Sequence, residues 1–371
     1  MNHSVTHITT AHQRYDNRIF TKMCSSLAIN DKYSVSLIVC DELVKKEVKS
    51  NVSIHNIGKI TGRVKRAILG SVRVFNLSRS LNSDIYHIHD PELLLAGLAL
   101  KLTGRKVIYD AHEDLSEQVK NKDYLSTFVK KTISKSIVIF ERVFFRYFDA
   151  IIGATEYISN KYKPYNSCSV NVNNYPIIDS YLSRKFEGIR RDSVCYVGAI
   201  SEARGIIEFV KVAETLPNIR FILAGEFTNR KLKDKVTSMP GWSNIDYRGW
   251  CDREEVLDIY ESSFAGLVTL HPISNYVDAL PVKLFEYMAS NIPVICSNIP
   301  LWENIVLKSN SGLSVDPYSV QDISKAITDL FNDSDLVTTM GSNGKKAVIS
   351  NYSWEVESEK LTSLYELLLN K

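Results

Sequence analysis

Strand-length apolar runs alternate with longer segments of helical spacing along the whole sequence, and this alternation restricts the fold more than any other feature. In the first half, residues 34–39 precede a polar segment at 45–49 read as helical, 85–88 precede a helix at 92–102, and runs at 107–109 and 151–152 follow. Such alternation predicts parallel sheets covered by helices on both faces, with ligands bound beyond the carboxyl ends of the strands. After a polar, irregular stretch at 179–191 the rhythm restarts: 194–197 ends at Gly198, a helix covers about 206–215, and 220–224 ends at Gly225. It continues through 245–247, a helix at 254–262, 266–270, a helix at 282–289, and 294–296. The expected architecture is α/β, with two doubly wound, Rossmann-like domains at 1–182 and 183–352 facing a central cleft. In the last stretch, 353–371, Val356, Leu361, Leu364, Tyr365 and Leu368 share one helical face. A closing helix that packs back on the first domain is expected there.

Charge is unevenly shared between the halves. Residues 1–190 hold 28 lysines and arginines against 18 acids, and the remainder 17 against 24. A basic half can serve nucleic acid or anionic lipid, and the sequence has no aromatic-basic RNA motif, helix-turn-helix signature or zinc-finger spacing. An anionic membrane surface is therefore the expected partner, and nucleic acid is not. The segment 130–148 combines Lys130, Lys131, Lys135, Arg142 and Arg146 with many aromatic and aliphatic residues. It reads either as a core helix with a few solvated charges or as an interfacial helix lying on lipid, assisted by Lys59, Arg63, Lys65, Arg66 and Arg73 on an earlier helix. No apolar run approaches the roughly twenty residues of a membrane span. The start lacks a basic region followed by an apolar stretch, so a cytoplasmic chain, peripheral on the inner face of the membrane, is expected. Six scattered cysteines without a CxxC pair read as reduced.

The most informative stretch runs from Asp278 through Leu280, Pro281 and Glu286 to Ala289, followed by Pro293-Val294-Ile295. Pro281 suits the first turn of a helix, which sets Asp278 and the next backbone amides at a helix N-terminus, a favourable place for hydroxyl or phosphate oxygens. Glu286 falls one to two turns further in, as a ribose ligand or as a surface residue.

These residues resemble the acidic-x7-Glu motif of the retaining glycosyltransferases of family 4, which have the GT-B fold. Glu286-Tyr287-Met288-Ala289 and Pro293-Val294-Ile295 match; Asp278 replaces the usual first Glu, and Asn291 stands where Gly is usual. Tyr196-Val197-Gly198 with Arg204-Gly205 resembles the opening of the family's donor domain, Arg204 taking the place of a Lys and Ala199 that of a frequent second Arg. A cation at this point neutralises the charge that builds on a departing nucleoside diphosphate. The first loop, 10–22, lacks the Gly-Gly pair of many members, so compensation from Arg18 is expected.

A further cluster joins His87, His89 and Asp90 to Asp110, His112 and Asp114 at the ends of two strands. His87 and His89 share a strand face, and with Asp110 and His112 they could hold a metal. The resemblance instead matches His112 to a histidine beside the donor's anomeric carbon.

Carried over, the resemblance implies a retaining sugar-nucleotide glycosyltransferase that needs no metal. The donor would be a nucleotide-diphosphate sugar, most commonly UDP-linked, bound by Arg204, Gly198, Gly225, Leu280, Pro281, Glu286 and Arg18. Catalysis would involve His112, Asp278 and Glu286. A polyprenol-diphosphate-linked glycan acceptor, as in O-antigen, capsule or exopolysaccharide assembly, would meet His12, Asp16, His89 and Asp90. Two alternatives stay open: a metal-dependent hydrolase using His87, His89 and His112, and a non-catalytic nucleotide-sugar-binding protein.

Overall fold

A computed structural model describes residues 2–116, 126–184 and 192–370. Residues 185–191 of the expected connection lie outside this set. The chain divides into two compact units, 1–174 with 357–371, and 175–356. The division falls eight residues before the expected boundary at 182 because Tyr175, Ile178 and Tyr181 are buried in the core of the second unit. The closing helix, Trp354–Leu369, contributes from Glu357 onward to the first unit. There the Glu357 carboxylate accepts from the Asn173 backbone amide at 2.9 Å.

The first unit holds an eight-stranded sheet: β1 (His3–Ile8), β2 (Tyr33–Val39), β3 (Lys46–Lys49), β4 (Val52–Asn56), β5 (Ile85–Ile88), β6 (Lys106–Ala111), β7 (Ala150–Gly153) and β8 (Ser169–Asn171), in the order 3-4-2-1-5-6-7-8. All pairings are parallel except β3 with β4. That exception corrects the helix expected at 45–49. Ser50 and Asn51 both take positive φ, 49° and 59°, the tight hairpin geometry that matches strand twist. Strand β3 closes the edge with its lysines outward. The helical stretch Arg63–Leu81 carries Arg63, Lys65, Arg66 and Arg73, whereas Lys59 precedes it. Arg66 is paired with Glu92 and so is not a free surface charge.

The second unit is a six-stranded, all-parallel sheet: β9 (Ser193–Val197), β10 (Arg220–Ala224), β11 (Ile245–Gly249), β12 (Ser263–Val268), β13 (Val294–Ser297) and β14 (Gly312–Val315), ordered 11-10-9-12-13-14. Helices cover both faces, giving two apolar layers, one around Trp302, Phe285 and Tyr287 and the other around Phe209, Phe221 and Ile327. Strand order reverses between β1 and β5 in the first sheet and between β9 and β12 in the second. Those are the topological switch points at which open α/β sheets bind ligands.

Asn291 ends the helix Val282–Ala289 in a left-handed conformation, φ 60°. Asn and Gly tolerate this conformation and a β-branched residue does not. Asn291→Gly should therefore leave stability within about 0.5 kcal/mol, whereas Asn291→Val should cost about 1–2 kcal/mol in urea denaturation.

Candidate active site

At the switch point of the first sheet, the Asp90 carboxylate beyond β5 gathers the loop that follows β1. It accepts from the amides of Thr10 and Ala11 and from the hydroxyls of Thr9 and Thr10, and lies 2.8 Å from His12 Nδ1. Asp90 is fully buried and His89 nearly so. Neither is presented as the expected acceptor contact; both act within the fold, and His12 remains partly accessible. Burial alone would lower the His12 pKa, but Asp90 raises it overall. Asp16 caps the helical segment Asn17–Cys24, accepting from the amides of Arg18 and Ile19.

Near the end of β6, Asp110 is the hub of a second buried network. Arg18 donates two hydrogen bonds to its carboxylate, at 3.0 and 2.8 Å, and a third to the Val172 carbonyl. Arg18 is thus committed inside the first unit rather than offered to a diphosphate. His112 Nε2 and His89 Nδ1 lie 2.9 and 3.1 Å from the same Asp110 oxygen. Burial would raise the Asp110 carboxyl, yet Arg18 and His112 hold it well below the usual carboxylate range. The ring of His112 is 4.9 Å from that of His12, so these two partly accessible imidazoles adjoin.

The network runs on into the core. His89 Nε2 is 2.9 Å from His7 Nδ1, and the Tyr365 hydroxyl from the closing helix lies 3.2 Å from His7 Nε2 and 2.6 Å from His87 Nδ1. His7 and Tyr365 escaped the sequence reading: His7 looks like one polar residue in a strand, and Tyr365 like one apolar position among several on its helix. Among the described residues, two trios bring ligand atoms within 4.8 Å of one another: His7, His87 and His89, and His89, Asp110 and His112. The expected grouping of His87 with His112 is thereby split between them, with His89 common to both. Each trio has the donor types a divalent transition metal accepts.

At the switch point of the second sheet, β9 ends at Gly198, φ 129°, and β10 at Gly225, φ 137°. A β-carbon on Gly225 would fall 2.0 Å from the Gly198 carbonyl oxygen, so the two strand ends pack as only glycine permits. Arg204 lies on the turn after β9, donating to the Ala199 carbonyl at 3.2 Å and toward the Tyr276 hydroxyl at 3.4 Å. Its turn is fixed by the His271 amide, which donates to the Ala203 carbonyl. No carboxylate pairs with Arg204 among the described residues.

The helix Val282–Ala289 begins after Pro281, as its sequence indicates. Asp278, three residues earlier, is exposed, and the next peptide is pinned by the Trp302 indole, which donates to the Ala279 carbonyl at 2.6 Å. Leu280 and Pro281 are half-buried between Asp278 and the helix. Arg253 donates to one oxygen of Glu286 and the Tyr260 hydroxyl to the other, both at 3.0 Å. A carboxylate has about four acceptor sites, so Glu286 keeps capacity for a ligand hydroxyl. Next to Gly225, a cavity of about 520 Å³ is lined by Glu226, Phe227, Arg230, Lys233 and Tyr247 among others.

Two parallel, doubly wound sheets, each with an open switch point, make up the GT-B fold. Residues 183–347 match the family described as glycosyl transferases group 1, so the second unit is a domain of that family. The capsular polysaccharide biosynthesis glycosyltransferase CapM of Staphylococcus aureus is 22% identical over 216 residues, 56% of this chain and 54% of the relative. The chain spans about half the length of the curated relatives it matches. Sucrose-phosphate synthase from Thermosynechococcus elongatus has a similar fold, with a TM-score of 0.75 at 15% identity over the full length of both chains. Anabaena HepE in complex with UDP gives 0.71 at 11% identity, over 99% of this chain and 100% of that one.

Burial pushes the pKa values of His7 and His87 well below 6.5, and that of His89 down to about 3. Below pH 6.5 the unfolded chain therefore binds protons that the folded chain does not. Stability from these groups is complete above that pH and lost as pH falls toward the folded-state values, by at most about 1.4 kcal/mol per pH unit for each histidine. Urea denaturation should show this loss between pH 7.5 and 5, and His87→Asn should reduce the slope by about one proton. Equal stability at the two pH values would contradict a buried, neutral trio.

Proposed function

We propose that the protein is a retaining glycosyltransferase. It moves a hexosyl or N-acetylhexosaminyl group from a nucleoside-diphosphate sugar, UDP-linked before others, to a polyprenol-diphosphate-linked glycan in surface-polysaccharide assembly. The product is an α-glycoside. The observation that carries this reading is Arg204: a cation without a carboxylate partner among the described residues, at the strand end where a parallel sheet binds ligands, beside a glycine turn and a helix opening. Its guanidinium suits a leaving diphosphate, whose charge grows as the sugar–oxygen bond breaks. Side-chain charge performs the neutralisation, so the reaction proceeds without a metal. Glu286 holds the ribose, Asp278 and the adjoining amides orient sugar hydroxyls, and the aromatic faces of Phe227 and Tyr247 suit a base. On the first unit His112, oriented by Asp110, serves the reacting carbon, and the accessible His12 replaces the buried His89 and Asp90 as the acceptor contact. Support for the donor comes from the HepE complex with UDP, and for the setting from the capsular function in the CapM name.

The acceptor's lipid calls for a membrane face. No helix among the described residues is long and apolar enough to cross a membrane. The helix Thr127–Phe144 exposes Phe128, Ile139 and Val143 together with Lys131, Lys135 and Arg142, and Val64, Ile68 and Val72 are also exposed on the helical stretch before β5. Apolar area beside basic charge is what interfacial binding requires.

A thermal-shift screen against UDP, GDP and ADP and their sugar conjugates tests the donor site. One nucleotide should raise the melting temperature equally with and without EDTA, and Arg204→Ala should abolish the shift and lower turnover by about 10²–10³. A shift that requires a divalent cation would refute the metal-independent reading. Cosedimentation with anionic vesicles at low salt should be weakened by Lys131→Glu with Lys135→Glu, with nucleotide binding unchanged.

A further inference from the structure

Ala199 leaves the donor site one cation short, and Arg18, the expected substitute, is consumed by Asp110 in the other unit. The second unit contains another cation that sequence position gave no reason to single out. Lys283 lies in the first turn of the helix Val282–Ala289 and is half-buried as a residue, but its side chain turns inward, so that Nζ is buried and without a hydrogen-bond partner among the described residues. It rests 3.6 Å from the centroid of the Tyr196 ring. The nitrogen occupies the space beside Gly198 that a side chain would otherwise take: a β-carbon there would lie 3.0 Å from Lys283 Nζ and 3.8 Å from Arg204 Nη1. The two cations therefore lie within 4 Å of one point, at the end of β9, beside the same helix opening.

A buried amine without an anion resists protonation, and its charged form is favoured once an anionic ligand arrives beside it. We propose that Lys283 is the second diphosphate cation of this enzyme, supplied by the helix after Pro281 in place of the side chain missing at Ala199. This rests on the glycosyltransferase reading and names a residue for it. When the bond from the anomeric carbon to the phosphate oxygen breaks, the electron pair stays on that oxygen, and Arg204 and Lys283 share the resulting charge.

The position has a second consequence. Burial and the neighbouring Arg204 push the lysine pKa well below 10.5, against the opposing pull of Glu286 and Cys195; the Tyr196 ring completes its surroundings. A diphosphate brings two or more negative charges to the amine and raises its pKa. Wherever pH lies between the free and bound values, binding takes up a proton, so affinity falls as pH rises through that window. The diphosphate itself is fully ionised from pH 8 upward, since its last proton leaves at about pH 6, and contributes no uptake there.

Calorimetry with UDP, GDP and ADP, with the matching nucleosides as controls, on wild type and Lys283→Met tests the assignment. Lys283→Met should bind the preferred diphosphate at least tenfold more weakly, bind the nucleoside unchanged, and melt no lower than wild type, because it replaces an unpaired buried amine with an apolar chain of similar length. Equal diphosphate affinity in the two proteins would overturn the role of Lys283 while leaving the donor site standing. Failure of wild type to bind any of the diphosphates would overturn the donor-site reading itself, and this inference with it. Should the variant not fold, wild type alone decides: in buffers of different ionisation enthalpy, from about pH 8 to 10.5, binding should take up protons in part of that range, and no uptake anywhere in it refutes the proposal.

Discussion

A parallel sheet sends the carboxyl ends of all its strands to one edge, and at a switch point the two flanking connections diverge and leave that edge open. Both units obey this constraint, and what each site can do follows from how its edge is filled. The first unit fills it with compensated charge. Asp110 faces Arg18 and two imidazoles, and Asp90 is enclosed by amides, hydroxyls and His12. The second unit places Arg204 and Lys283 at the end of β9 without a carboxylate partner for either among the described residues.

This difference has energetic meaning. A buried pair with its hydrogen bonds satisfied roughly balances its desolvation cost and fixes geometry, whereas an unpaired buried amine resists its charge until an anion arrives. The first arrangement suits groups that must be held in place, such as His112 against Asp110. The second suits a surface that gains free energy when an anion arrives, because donors already oriented need no reorganisation as charge develops.

The fold was legible because strand period, glycine strand ends and Pro281 act locally. The helices Ile206–Thr215 and Val282–Ala289 and the strand Arg220–Ala224 lie where the residues indicated. The segment 45–49 shows no strand signal because a short polar edge strand has no alternation to display, and its turn depends on positive φ at Ser50 and Asn51. The site was legible in its strand-end positions but not in its pairings. Arg18 and Asp110 are 92 positions apart, and nothing in either one's neighbourhood signals the other. Arg253 and Tyr260, which hold Glu286, looked like ordinary residues of an amphipathic helix. Lys283 carries no signal in the sequence because a lysine in a first helical turn reads as a solvated charge; the packing against Tyr196 and the space left by Gly198 accommodate it inward.

The path of the chain through the two units sets an order of events during synthesis. The second unit, 175–356, is complete in sequence before the first, which still awaits 357–371. Until those residues leave the ribosome, Tyr365 cannot reach His7 and His87, and the Glu357 carboxylate cannot receive the Asn173 amide. The unit that starts earlier in the sequence is thus the later to close, and a nascent chain stalled before residue 357 would carry a finished second unit attached to an open sheet with its histidine cluster uncapped.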